Sequence, residues 1–169
     1  QKTNLYEGGI RIPLIVRWPG RIKAASQSDL PWYFADVMPT LADLTGTTKH
    51  LPKDIDGIST APTLTGRANE QRKHEFLYWE YTRVANWKTL TYVKNGLQQA
   101  VRMGKWKLVR MKNDAPFELY DLSEDIGEKS NLADKHPAMV KKMSAIALRE
   151  HTEPVSQAEP KNPEGKRFR

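Results

Sequence analysis

The spacing of hydrophobic positions changes several times along this chain. Ile12-Pro13-Leu14-Ile15-Val16-Arg17-Trp18 is short, β-branched and almost continuously apolar. That pattern predicts a strand buried on both faces of a sheet covered by helices. Pro19-Gly20 ends it. A lone strand cannot cover its own faces or pair its own edges, so residues 1–20 read as the end of a unit whose beginning lies elsewhere. Phe34, Val37, Met38, Leu41 and Leu44 then form a stripe at helical spacing. Asp36 is placed to cap this helix, Pro39 falls in its first turn, and Gly46 stops it. Residues 47–73 are rich in Thr, Pro, Gly and charge; they read as a connector, with a turn at Asp56-Gly57 and one short helical turn near Ala61–Leu64.

From His74 the period becomes that of strands. Glu75 to Tyr81 is aromatic-rich, and Thr91–Val93 reads as a further short strand. Gln98–Met103 and Trp106–Met111 flank Gly104-Lys105, a two-residue hairpin signal. Phe117–Leu122 is another strand. A helix begins near His136-Pro137, with Met139, Val140, Met143, Ile146 and Ala147 on its apolar face. The order predicts an α+β unit, a small antiparallel sheet with one covering helix. The Pro-rich tail from residue 153 to 169 reads as disordered.

Composition narrows the function classes. The chain has 169 residues, 38% hydrophobic and 28% charged, and no apolar run long enough to span a bilayer. The opening QKTNLYEGG has no basic region followed by an apolar core, the pattern of a signal peptide. Without cysteine there is no disulfide scaffold, thiolate zinc site or cysteine nucleophile. A net charge of +7 suits an anionic partner, whether nucleic acid, a sulfated or phosphorylated sugar, or an acidic surface.

Candidate chemistry is sparse. His50, His74, His136 and His151 match no metal-binding spacing and read as surface or helix-end residues. Asp36 reads as a cap before it reads as a functional carboxylate. Lys105-Trp106-Lys107, with Arg102 and Arg110, reads as a hairpin of solvated lysines around a core tryptophan. The most informative stretch is Lys2-x-x-x-Tyr6-Glu7-Gly8-Gly9-Ile10-Arg11-Ile12-Pro13. Its paired glycines permit positive φ or close approach of the backbone to another group.

This stretch, continued by an apolar strand and Trp18-Pro19-Gly20, resembles a signature near the end of the catalytic domain of formylglycine-dependent sulfatases, in the alkaline-phosphatase-like superfamily. Further stretches resemble that family in its order: Asp36-Val37-Met38-Pro39-Thr40-Leu41, Asp56-Gly57-Ile58-Ser59, Val101-Arg102-x-Gly104-x-Trp106-Lys107, and Glu118-Leu119-Tyr120-Asp121-Leu122 with Asp125, Glu128, Asn131 and Leu132. The resemblance implies the end of an alkaline-phosphatase-like α/β catalytic domain and connector over 1–72, then a small α+β domain of antiparallel sheet and C-terminal helix over 73–152.

The resemblance also implies function. In that family a modified Cys or Ser, as a formylglycine hydrate, attacks sulfur while Ca²⁺ polarises the sulfate. Neither the nucleophile motif Cys/Ser-x-Pro/Ala-x-Arg nor the family's Asp-Asn/His-Gly metal motif occurs here. The chain is therefore expected to be a C-terminal part, inactive by itself, with its N-terminal catalytic portion as partner. Lys2 maps onto the lysine that contacts the sulfate. Glu7 and Arg11 are expected to pair locally and fix the turn, and Gly8 and Gly9 to shape the backbone below the pocket. Arg83, Trp87 and Arg102 are candidate contacts to a sulfated sugar, since aromatic faces beside Arg suit a ring carrying an anion. Export to the periplasm, a lysosome or the medium is implied by the resemblance alone. An unpaired strand would also promote self-association. The alternatives are a phosphoesterase or phosphotransferase of the same superfamily, and a basic module that binds nucleic acid or acidic glycan without chemistry.

Overall fold

The computed structural model describes residues 3–86 and 91–152. They divide into two compact units: residues 3–11 with 76–86 and 91–152, and residues 12–75.

In the first unit, β1 (Leu77–Asn86), β2 (Thr91–Met103), β3 (Trp106–Arg110) and β4 (Glu118–Asp121) form an antiparallel sheet in the order β1-β2-β3-β4. The hairpin expected at Gly104-Lys105 is present: Met103 pairs with Trp106, and Gly104 takes φ +58°, which glycine adopts without strain. Thr91–Val93 is not a separate strand but the start of the long β2. Strand alternation sends Val101, Leu108 and Leu119 to one face. There they pack with Met143, Ile146 and Ala147 of a helix over Pro137–Arg149. Ala100, Val109 and Tyr120 point to the other face and pack with Leu5 and Leu122. That second face is covered by residues 3–11, which include a single helical turn, Glu7–Ile10. The sequence division at residue 72 left this segment with the preceding domain; by packing it belongs to the sheet.

The second unit contains the expected helix, Val37–Thr45, closed by Gly46 in the left-handed region at φ +71°. Ala61–Leu64 forms the expected short turn. Gly57 has a steric reason to be glycine, because a Cβ there would lie 1.9 Å from the Ala35 carbonyl oxygen. The expected strand at Ile12–Trp18 is not formed. Residues 11–20 are all exposed, Ile15 at 91%, and among the described residues nothing pairs with this segment. A strand is made by its neighbours, and apolar sequence without a pairing edge leaves only extended chain. The tail from 153 to 169 lies outside the described residues.

A buried ion cluster beneath the Tyr-Glu-Gly-Gly turn

The Tyr6–Ile10 turn is shaped by its own backbone: the Gly9 and Ile10 amides donate to the Tyr6 carbonyl at 2.8 and 3.2 Å, and the Arg11 amide donates to the Glu7 carbonyl at 2.8 Å. Neither Gly8 nor Gly9 takes positive φ, and a Cβ on Gly8 would meet nothing within 4 Å. Of the two roles read for this pair, positive φ or close approach of the backbone, positive φ is not used. An ordinary helical turn does not need it.

Glu7 points inward and is buried. Its Oε1 lies 2.8 Å from Nζ of Lys107, which is fully buried on β3. The Lys107 ammonium also sits 3.6 Å from Glu128 Oε1 and 5.6 Å from the centre of the Trp79 ring. Glu128 Oε2 accepts a hydrogen bond from the Glu7 backbone amide at 2.5 Å. Lys107 and Glu128 thus hold Glu7 at two points, its side chain and its backbone amide. Burial raises the Glu128 pKa, with Lys107 opposing the shift. Glu128 reaches this position from a backbone at φ +51°, a region that non-glycine residues seldom occupy. Asp125 supports that loop by accepting from the Lys129 and Ser130 amides, both at 2.8 Å.

The expected Glu7–Arg11 pair is present, at 3.9 Å with Arg11 largely exposed, and Lys107 adds a closer, buried partner that local spacing does not show. These contacts revise one expectation: Lys107 is not a solvated hairpin lysine. Its register places it on the face of Val109 and Ala100, under residues 3–11. The sequence offered one signal, a lysine inside a strand whose neighbours are apolar on both faces. Lys105, by contrast, is exposed and reaches Asp121 at 2.6 Å.

A second polar group closes the same face. Tyr6 and Tyr120 hydroxyls both donate to Glu118 Oε2, at 2.5 and 2.6 Å. Burial first, and then this carboxylate, raise both tyrosine pKa values, so both remain neutral donors.

The other sequence candidates are dispersed. Lys2 and Trp87 lie outside the described residues. Arg83 is exposed in the irregular part of β1. Arg102 is half-buried opposite Leu77, its Nε 3.4 Å from the Gly104 carbonyl oxygen. Six residues of strand separate Arg83 from Leu77, roughly 20 Å, so these two arginines do not form one cluster. Trp79 and Tyr81 pack on the face covered by residues 3–11.

In the 12–75 unit, Asp36 stands at the N-cap position of the Val37–Thr45 helix as expected, but it is almost fully buried and its side chain makes no cap hydrogen bond to that helix. Its carboxylate accepts from the Ile58 amide at 2.8 Å and the Tyr33 amide at 3.2 Å, and meets His74 Nε2 at 2.7 Å. His74 is correspondingly shielded rather than a surface residue. His151 pairs with Glu80 at 2.7 Å, and the His136 ring packs against Trp106 at a tilt of 56°.

A family model for the C-terminal part of N-sulphoglucosamine sulphohydrolase matches residues 1–153. The chain belongs to this sulfatase C-terminal family. It is 34% identical over 152 residues to an N-acetylgalactosamine-6-O-sulfatase of Bacteroides thetaiotaomicron, covering 86% of this chain and 28% of that protein. It is 33% identical over 150 residues to a choline-sulfatase of Rhizobium meliloti, covering 88% of this chain and 26% of that protein. Among solved structures, a 2-O GAG sulfatase matches 68% of this chain and 23% of its own, with a TM-score of 0.54 and 29% identity. A phosphonate monoester hydrolase of Silicibacter pomeroyi matches 68% of this chain and 24% of its own, with a TM-score of 0.51 and 25% identity. The chain spans about a quarter of the length of the curated relatives it matches. The small antiparallel sheet and closing helix of this chain are those the sequence predicted.

Proposed function

We propose that this chain is the C-terminal part of an enzyme that hydrolyses sulfate esters of a carbohydrate or aryl compound. The observation that carries this reading is similarity at 33–34% identity, over most of the chain, to proteins named as sulfatases. In this reading Lys2 supplies a cation to the sulfate. Hydrolysis of a sulfate ester builds negative charge on the non-bridging and leaving oxygens, and a fixed ammonium group aimed there lowers the barrier. Arg83, Trp87 and Arg102 are proposed contacts to substrate, Arg83 and Arg102 separately rather than as one clamp. Formylglycine as nucleophile and Ca²⁺ as the polarising cation belong to the whole protein. Among the described residues no three His, Asp or Glu side chains converge to hold a metal, so these residues do not fit that site. No helix among the described residues is long and apolar enough to cross a membrane, and export is proposed on family grounds.

The test is sulfate release by the full-length protein from a panel of aryl, monosaccharide and choline sulfates. Turnover of at least one is expected, and Lys2→Ala should lower kcat about 100- to 1000-fold. Hydrolysis of phosphonate or phosphate monoesters with no sulfate release would favour the second reading. That reading rests on the likeness to the phosphonate monoester hydrolase.

A further inference from the structure

Lys107 is a fully buried lysine, yet it is not surrounded by apolar side chains alone. Its ammonium faces Glu7 Oε1, Glu128 Oε1 and the Trp79 ring. Glu128 in turn receives the Glu7 amide. All of these contacts converge on one backbone turn, and that turn carries no charge of its own besides Glu7 and the exposed Arg11. A purely stabilising core would do better without the ions, because apolar replacement of a buried ion pair is often neutral or stabilising. What an ion cluster adds is direction. Lys107 and Glu128, from β3 and from the loop after β4, fix both the side chain and the amide of Glu7. Tyr6 is fixed by Glu118 from β4. Residues 6 and 7 are thus held by three groups 100 or more positions away in sequence.

Building on the proposed role of Lys2, we infer that Lys107 is a positioning residue of the enzyme: through the Glu7–Lys107–Glu128 cluster it sets the Tyr6–Ile10 turn, from which the chain runs back four residues to Lys2. The C-terminal sheet is then part of the catalytic apparatus by position, although it touches no reacting atom. Displacement of a catalytic group by about 1 Å costs on the order of 100-fold in rate, so rigid support of this turn is a kinetic requirement.

The experiment is a kinetic cycle in the full-length protein, with Lys2→Ala, Lys107→Met and the double variant assayed on a sulfate ester it turns over. Lys107→Met is expected to lower kcat about 100-fold with little change in KM. The double variant should be no slower than Lys2→Ala within about twofold, because Lys107 acts only through Lys2. Multiplication of the two losses would overturn the inference, since a general packing defect is independent of Lys2. If Lys107→Met does not fold, the same cycle is run with Lys107→Met, Glu7→Gln and Glu128→Gln combined, which leaves no unpaired buried charge. Recovery of full turnover in that triple variant would also overturn it. Hydrogen exchange gives a readout independent of the assay: the Glu7 and Arg11 amides should exchange at least about tenfold faster in Lys107→Met, while those of Met143 and Ile146 stay protected. Equal acceleration everywhere would mean lost stability only. Full turnover by Lys2→Ala would remove the catalytic role of Lys2 and the coupling with it. An exchange change confined to the turn would then still establish the structural link.

Discussion

The two faces of the four-stranded sheet are covered by different chemistry. On one, Val101, Leu108 and Leu119 meet Met143, Ile146 and Ala147 of the closing helix, all apolar. On the other, residues 3–11 are fastened by Lys107, Glu128, Glu118 and two tyrosine hydroxyls beside a small apolar group. The apolar face needs only volume and hydrophobicity, so many sequences satisfy it. The polar face needs each donor and acceptor in place, because a buried charge left alone is costly. The first arrangement confers stability, whereas the second specifies where a segment lies. The segment so specified is the one that carries the family's turn.

This contrast can be broken by substitution. The largest effect is expected from Lys107→Met, which leaves Glu7 and Glu128 buried without their cation and should cost about 3–5 kcal/mol. Urea unfolding checks it, and neutralising both glutamates in the same protein should restore most of the loss. Met143→Ala on the apolar face should cost about 2–5 kcal/mol, with faster exchange along the helix and an unchanged Glu7 amide. Tyr6→Phe removes one donor to the Glu118 carboxylate and should cost about 1.5–3 kcal/mol, while Tyr120 continues to donate.

The smallest effects concern pH, and here two carboxylates carry opposite signs. Glu128 has its pKa raised by burial, so its contribution to folding is present below the ordinary carboxyl range and is lost as pH rises through the raised value. Glu128→Gln should therefore remove a decline in stability on the way to neutral pH. Asp121 is held below its ordinary pKa, first by the hydrogen bond from Lys105 and then by Ser123. Its contribution is present above about pH 4 and is lost as pH falls through the depressed value. Lys105→Met should weaken the protein at neutral pH and leave it unchanged in strong acid. Thermal unfolding followed across the acid range separates the two.

Much of the architecture was legible from local pattern. The Val37–Thr45 helix announced itself through its stripe and the glycine that ends it, and the β2–β3 hairpin through Gly104-Lys105. The closing helix was legible at Pro137 for the same reason. The site was legible only in part. Glu7 was recognisable as a structural residue, but its partner was assigned to Arg11 four positions away. Local spacing finds this neighbour, which does pair with Glu7 at 3.9 Å, but not the closer, buried cation 100 residues on. Asp36 was read as a cap on the same local logic, whereas Ile58, Tyr33 and His74 share its carboxylate. The strand expected at Ile12–Trp18 failed for the complementary reason, since its composition is right but no described strand pairs with it.

Hydrophobic period, turn residues and helix ends were determined by the sequence itself, because each depends on residues within a few positions of one another. Which polar groups meet in the interior was decided only by tertiary structure. Lys107 turns inward because β3 pairs in a register that puts position 107 under the Tyr6–Ile10 turn, where Glu7 and Glu128 supply the charge that makes its burial tolerable.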